Sequence, residues 1–175
     1  DTALFCGLLV YLADNGALDR DYIDRYTSGF DEAIARARSV AGSVGATALA
    51  TGLSEHDVAT FFQMFARTPR VVTMYSQGVN QSAQGTDKVN AILNCHLATG
   101  RIGKIGASPF SLTGQPNAMG GREVGGLANQ LAAHMGFSPP DIDRVRRFWK
   151  APRIATHEGL KAVQMFDAIA RGEID

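Results

Sequence analysis

The chain has 175 residues, 45% hydrophobic and 19% charged, with 17 Lys and Arg against 17 Asp and Glu. That length bounds one ordinary domain or a large part of one, and the apolar share suffices for a packed core. The even charge balance gives no reason to expect non-specific nucleic-acid or acidic-membrane binding, and no apolar run approaches the ~20 residues needed to cross a bilayer.

The chain starts at Asp1 and enters an apolar helical pattern at once, with no charged leader region, so it reads as a cut polypeptide and not as a signal peptide. Leu4, Phe5, Leu8, Leu9 and Leu12 share one helical face and predict a helix over 2–16 that stops at Gly16. Asp19 is placed to cap a short second helix carrying Tyr22, Ile23 and Tyr26. A weaker helical pattern runs from Phe30 to Val40, followed by a Gly- and Ala-rich stretch over 41–52. Ser54 and Asp57 resemble a capping box that opens a helix with Val58, Phe61, Phe62 and Phe65 inward. Residues 70–76 are β-branched and aromatic and predict a strand. A polar loop is expected over 77–87, then a helix over 88–99 with Val89, Ile92, Leu93 and Leu97 on its inner side and Gly100 as its cap. Residues 101–126 read as irregular, with a helix from about Arg122 or Glu123 to His134. Ser138-Pro-Pro-Asp141 is a strong helix start, and Thr156 is placed to cap a last helix whose Leu160, Val163, Phe166 and Ile169 share a face. One strand cannot make a sheet, so the expected class is α/β with the sheet completed by segments that are thin here or missing.

Cys6 and Cys95 lie among apolar neighbours at helical spacing and read as free thiols behaving as small hydrophobes. Neither belongs to a CxxC or CxxH group, and none of His56, His96, His134 and His157 has HExxH spacing, so no metal site is predicted. TGRIGKIG at 99–106 matches neither nucleotide-loop spacing and reads as a helix cap plus turn.

Ten of the 19 glycines fall between Gly78 and Gly126. They concentrate in two amide-bearing loops, 76–86 after the strand and 108–126. A strand, a polar loop and a helix start are the usual parts of a ligand site in an open α/β sheet. Amides both donate and accept, so Asn80, Gln81, Gln84, Gln115 and Asn117 suit the edge of a polar heterocycle, though the same residue types also build ordinary turns. Arg122 stands at a predicted helix start, where the dipole disfavours a cation; it is either a solvated arginine or one that faces an anion.

The stretch from Gly78 to His134 resembles a segment of the molybdenum bis(molybdopterin guanine dinucleotide) oxidoreductases, most of all the bacterial assimilatory nitrate reductases. The N-terminal helices and LKAVQMFDAIARGEI fit too, so the resemblance covers essentially the whole chain. It implies a helix-rich, Rossmann-like, three-layer α/β fold of the formate dehydrogenase/DMSO reductase middle domains, with residues 1–175 a single excised cofactor-binding domain. It places Gln77, Gly78, Asn80, Gln81 and Gly114 at the pterin cofactor. It makes Gln115 and Arg122 the catalytic candidates, Arg122 being the substrate-facing cation. Many relatives carry methionine where this chain has Gln77. The spacing between Gln115 and Arg122 is one residue shorter than in the periplasmic enzymes.

The resemblance further implies reduction of nitrate to nitrite by oxygen-atom transfer, in the cytoplasm, without nucleic-acid or membrane partners. The other domains of the same polypeptide and an electron donor protein or reductase are the expected partners. Neither Cys6 nor Cys95 matches the family's [4Fe-4S] cysteines or its metal-ligating cysteine, so the isolated chain is expected to hold no cofactor and to be inactive. Two other readings are a fragment of a formate dehydrogenase of the same superfamily, which Thr113 before Gly114-Gln115 disfavours, and a non-catalytic folding module.

Overall fold

The structure, a computed structural model, describes residues 1–114, 117–123 and 128–174, without the side chains of Met119 and Arg122. It is helix-rich with a small parallel sheet, compatible with the α/β class, and it divides into two compact units, Asp1–Gly114 and Gln115–Asp175.

The first unit is built around helix α1 (Thr2–Asp14). Phe5, Leu8, Leu9, Val10 and Leu12 are all buried, so α1 is covered on more than the one face its spacing suggests. Around it lie α2 (Arg20–Tyr26), α3 (Phe30–Ala41), α4 (Val44–Thr51), α5 (Glu55–Arg67) and α7 (Gly85–Ala98), the last preceded by a single turn, α6 (Gln77–Asn80). Phe62, Phe65, Val58, Ile92 and Cys95 complete the core. Two predicted caps form as expected: the Asp19 side chain accepts from Tyr22 N–H, and Ser54 Oγ accepts from Asp57 N–H. Gly16 and Gly100 both take positive φ, +70° and +58°, at their helix ends.

Helix α4 falls in the stretch read as only Gly- and Ala-rich. Its small residues give no apolar period, and its order comes from tertiary contact: Thr47 and Ala48 are buried beside α1. The approach is close enough that a Cβ on Gly7 would overlap Thr47 Oγ1. Helix α7 is rotated from the predicted inner face. Ala91, Ile92, Cys95 and Ala98 are buried, whereas Val89, Leu93 and Leu97 are half-buried, because small residues permit the closest packing.

Strand β1 (Val72–Tyr75) appears where predicted and pairs in parallel with β2 (Ser108–Ser111), which lies in the stretch read as irregular. The register sets Val72 against Ser108 and Tyr75 against Ser111. Ser-Pro-Phe-Ser is a poor strand former by composition, and pairing with β1 decides its conformation.

The second unit holds α8 (Ala118–Glu123), α9 (Pro139–Trp149) and α10 (Ala162–Ala170). Its small core is Leu131, Ala132 and Val145, with Met135, Phe137, Ile142 and Ile154 against them. Ser138 caps α9 as predicted, Oγ accepting from Asp141 N–H, with proline in the first turn. Two predictions fail here. The helix expected to run to His134 ends at Glu123, and Ala133 and His134 take positive φ in a turn. The last helix begins after Lys161, whose N–H is held by the Gln164 side chain, and Thr156 does not cap it.

Candidate functional site: the shelf at the strand ends

Both parallel strands end at one place. After Tyr75 the chain turns at Ser76 into α6, and after Ser111 it passes through Leu112 and Thr113 to Gly114. Leu112 N–H donates to Tyr75 O at 2.7 Å, and Ser76 Oγ donates to Leu112 O at 2.9 Å. Asn80 Nδ2 donates to Ser111 Oγ at 3.0 Å, tying α6 to the end of β2. A Cβ on Gly114 would stand 3.0 Å from Gln77 Nε2, so these two residues touch.

The five residues expected at a cofactor, Gln77, Gly78, Asn80, Gln81 and Gly114, are therefore neighbours on one exposed polar shelf. The loop predicted over 77–87 is shorter than expected. The turn α6 occupies its start, where the N–H groups of Val79 and Asn80 both donate to Ser76 O, and α7 begins already at Gly85. Gly85 is buried, and a Cβ there would come within 2.8 Å of Val79 O and 2.9 Å of Asn80 O. Gly78 is the opposite case: it is exposed, its φ is not positive, and a Cβ would meet nothing within 4 Å. Packing within the chain thus explains glycine at 85 and gives no reason for glycine at 78. The side-chain amides of Gln77 and Gln81 make no hydrogen bond among the described residues.

Ser76 and Ser111 belong to the shelf and were not singled out by the sequence, because Ser111 lies in the unpredicted strand. Gln115 lies outside the described residues. Arg122 lies on α8 in the other unit, and its side chain is likewise outside what is described. Asn117 caps α8 locally, its Oδ1 accepting from Gly120 N–H at 3.1 Å.

Beneath the shelf β1 is anchored from inside. His96 is fully buried, and its Nε2 lies 2.7 Å from Thr73 Oγ1 in the middle of β1. Burial, reinforced by the neighbouring Arg101 cation, lowers the His96 pKa from 6.5 to about 4, so the ring is neutral near pH 7. Arg101 is itself only 5% exposed. It donates from Nη2 to Phe65 O at 2.8 Å and Thr68 O at 2.6 Å, and its guanidinium lies 4.4 Å from the Phe65 ring centre. It thereby takes up carbonyls left bare at the C-terminus of α5. Cys95 is buried and Cys6 half-buried; both thiols are free, and burial raises the pKa of each. Among the described residues no three His, Cys, Asp or Glu side chains come together as a metal site.

Fold and shelf together define the broad class: a strand–helix–strand α/β unit whose parallel strands end in a polar, amide-lined surface. No family model matches the chain. Individual proteins do. It is 52% identical to a nitrate reductase of Shewanella frigidimarina over 174 residues, covering 99% of this chain and 19% of that protein. It is 48% identical to a nitrate reductase of Klebsiella oxytoca, again over 99% of this chain and 19% of the relative. A periplasmic nitrate reductase of Desulfovibrio desulfuricans is 40% identical over 116 residues, 63% of this chain and 15% of its own length. The chain belongs to the nitrate reductase family, and it spans about a fifth of the length of the first two relatives.

Proposed function

We propose that this chain is part of the catalytic subunit of a molybdenum-dependent nitrate reductase of the cytoplasmic, assimilatory type. In this reading residues 1–175 serve as one Rossmann-like middle domain of the formate dehydrogenase/DMSO reductase kind, facing a bis(molybdopterin guanine dinucleotide) cofactor. The observation that carries it is the 52% identity over 99% of the chain to a protein named nitrate reductase. Among the described residues no helix is long and apolar enough to cross a membrane.

The shelf fits such a group in shape and chemistry. Open space above Gly78 admits a flat ligand close to backbone, and the unengaged amides of Gln77 and Gln81 can read both donors and acceptors of a pterin edge. Asn80 and Gly114 would complete the contact, with Ser76 and Ser111 holding the two strand ends in place. These groups are neutral, which suits a heterocycle better than a phosphate. When bound, the molybdenum centre supplies the oxygen-atom transfer that turns nitrate into nitrite, with electrons arriving from a [4Fe-4S] cluster and a donor protein. Gln115 and Arg122 would orient the anion. A guanidinium can offer nitrate two parallel hydrogen bonds, and an amide can donate a third. Alone, the chain is expected to hold no cofactor and to reduce no nitrate.

The test uses the full-length polypeptide that contains this chain. It should carry molybdenum and oxidise reduced viologen with nitrate. Gly78→Leu should lower its molybdenum content severalfold while leaving the melting of the 175-residue chain unchanged. A full-length protein that oxidises formate and ignores nitrate would overturn the reading, as would a Gly78→Leu variant with full molybdenum and full activity for the shelf.

A further inference from the structure

The two-stranded sheet has one finished face and one unfinished face. Val71, Thr73 and Tyr75 turn inward: Thr73 meets His96, and Val71 and Tyr75 pack against the core. Alternation along the strand sends Val72 and Met74 the other way, and the register puts Ser108 and Phe110 beside them. On that second face Val72 is 46% exposed, Met74 65%, Phe110 52% and Leu112 41%. Parallel strands are found almost only with both faces covered.

The two edges differ as well. The N–H groups of Ser108 and Leu112 donate to Val71 O and Tyr75 O, so the even residues of β2 bond toward β1. Pro109 then faces outward, where its missing N–H blunts the edge of β2. By the same parity the N–H and C=O groups of Val72 and Met74 point away from β2. Their edge carries neither proline nor a charged side chain from Val71 to Tyr75, the devices that keep an edge unpaired.

We propose that β1 receives a strand-and-helix unit from the remaining polypeptide of the nitrate reductase subunit. The strand adds to the open edge of β1, and an aliphatic helix face covers Val72, Met74 and Phe110. The existence of that polypeptide rests on the function proposed above. The two nearest-matching relatives described here carry this region as 19% of their length, so most of their chain lies outside it.

Amide hydrogen exchange at Val72 and Met74, and peroxide oxidation of Met74, are compared between the 175-residue chain and the full-length polypeptide. The chain alone should exchange and oxidise readily, and the full-length protein should slow both by roughly tenfold or more. Equal rates in the two would overturn the proposal. So would protection already present in the monomeric chain, which would mean that its own residues cover the face. Protection that tracks dimerisation in sedimentation and is abolished by Met74→Glu would give the face to a second copy instead. Molybdenum content and nitrate-dependent viologen oxidation are read on the same full-length preparation. Protection without either upholds the docking and sinks the nitrate reductase reading; activity without protection does the reverse.

Discussion

Gly78 and Gly85 stand seven residues apart on the same connection, and alanine should affect them in opposite ways. At Gly85 the added Cβ would lie 2.8 Å from Val79 O and 2.9 Å from Asn80 O. Both obstacles are backbone, so relief requires moving α6 or the first turn of α7, an overpacking strain of about 1–3 kcal/mol. At Gly78 the Cβ meets nothing within 4 Å and φ is already negative. Alanine there costs no contact and restricts the unfolded chain, so stability should change by less than about 0.5–1 kcal/mol, in the favourable direction. For a unit of this size about 4–8 °C accompanies each kcal/mol. Gly85→Ala should therefore lower the melting midpoint by several degrees in circular dichroism, with Gly78→Ala at or slightly above the parent. Because the strain is local, native-state exchange of the Val79–Lys88 amides is the sharper readout, and it should accelerate only in Gly85→Ala. Matching melting and exchange in the two variants would refute the argument that packing demands glycine at 85 and not at 78.

Other expectations concern the interior, the thiols and the anion site. His96 titrates at about 4 when folded and near 6.5 when unfolded, so the unfolded chain binds more protons between those values. Its stabilisation, of order 2–3 kcal/mol, is fully present above pH 6.5 and is lost as pH falls toward 4. Denaturant titrations of the parent and His96→Gln across this range should show a steeper pH slope in the parent; identical slopes would contradict the assignment. Cys95 should resist alkylation until the chain unfolds, and Cys6 should react slowly in the folded state; mass spectrometry of the two peptides decides. Gly7→Ala should destabilise by about 1–3 kcal/mol through Thr47, and Thr47→Ala should rescue much of that loss, a coupling a double-mutant cycle measures. In the full-length enzyme Arg122→Lys should retain molybdenum and lower kcat/KM by roughly ten- to a hundredfold, about 1.4–2.8 kcal/mol. Unchanged kinetics would remove Arg122 from substrate handling, and lost molybdenum would move it to cofactor retention.

Local chemistry was the readable part of this fold. Asp19, Ser54 and Ser138 announce helix starts because a short polar side chain can satisfy a bare N–H by itself, without help from distant residues. Strand β1 announces itself through Val, Thr and Tyr. What stayed hidden depends on partners far along the chain. Helix α4 has no period of its own and is ordered against α1, and Ser108–Ser111 is a strand because β1 lies beside it. The rotation of α7 follows from packing, since Cys95 and Ala98 fit closer than Leu93 and Leu97. At the site the amide-rich loop was visible as composition. Its junction with Gly114, through Ser76, Asn80 and Ser111, needed the sheet pairing that composition does not carry.

The burial of α1 has a consequence for synthesis. Its cover includes α7, and Cys95 Sγ donates to Phe5 O across 90 residues of sequence. On a ribosome adding roughly 5–20 residues per second, that partner arrives about 5–20 s after α1 itself. Through that interval Leu8, Leu9 and Leu12 have only the earlier helices to lean on. The nascent α1 is thus a natural place for a chaperone to bind, and a translational pause before α7 would prolong its exposure.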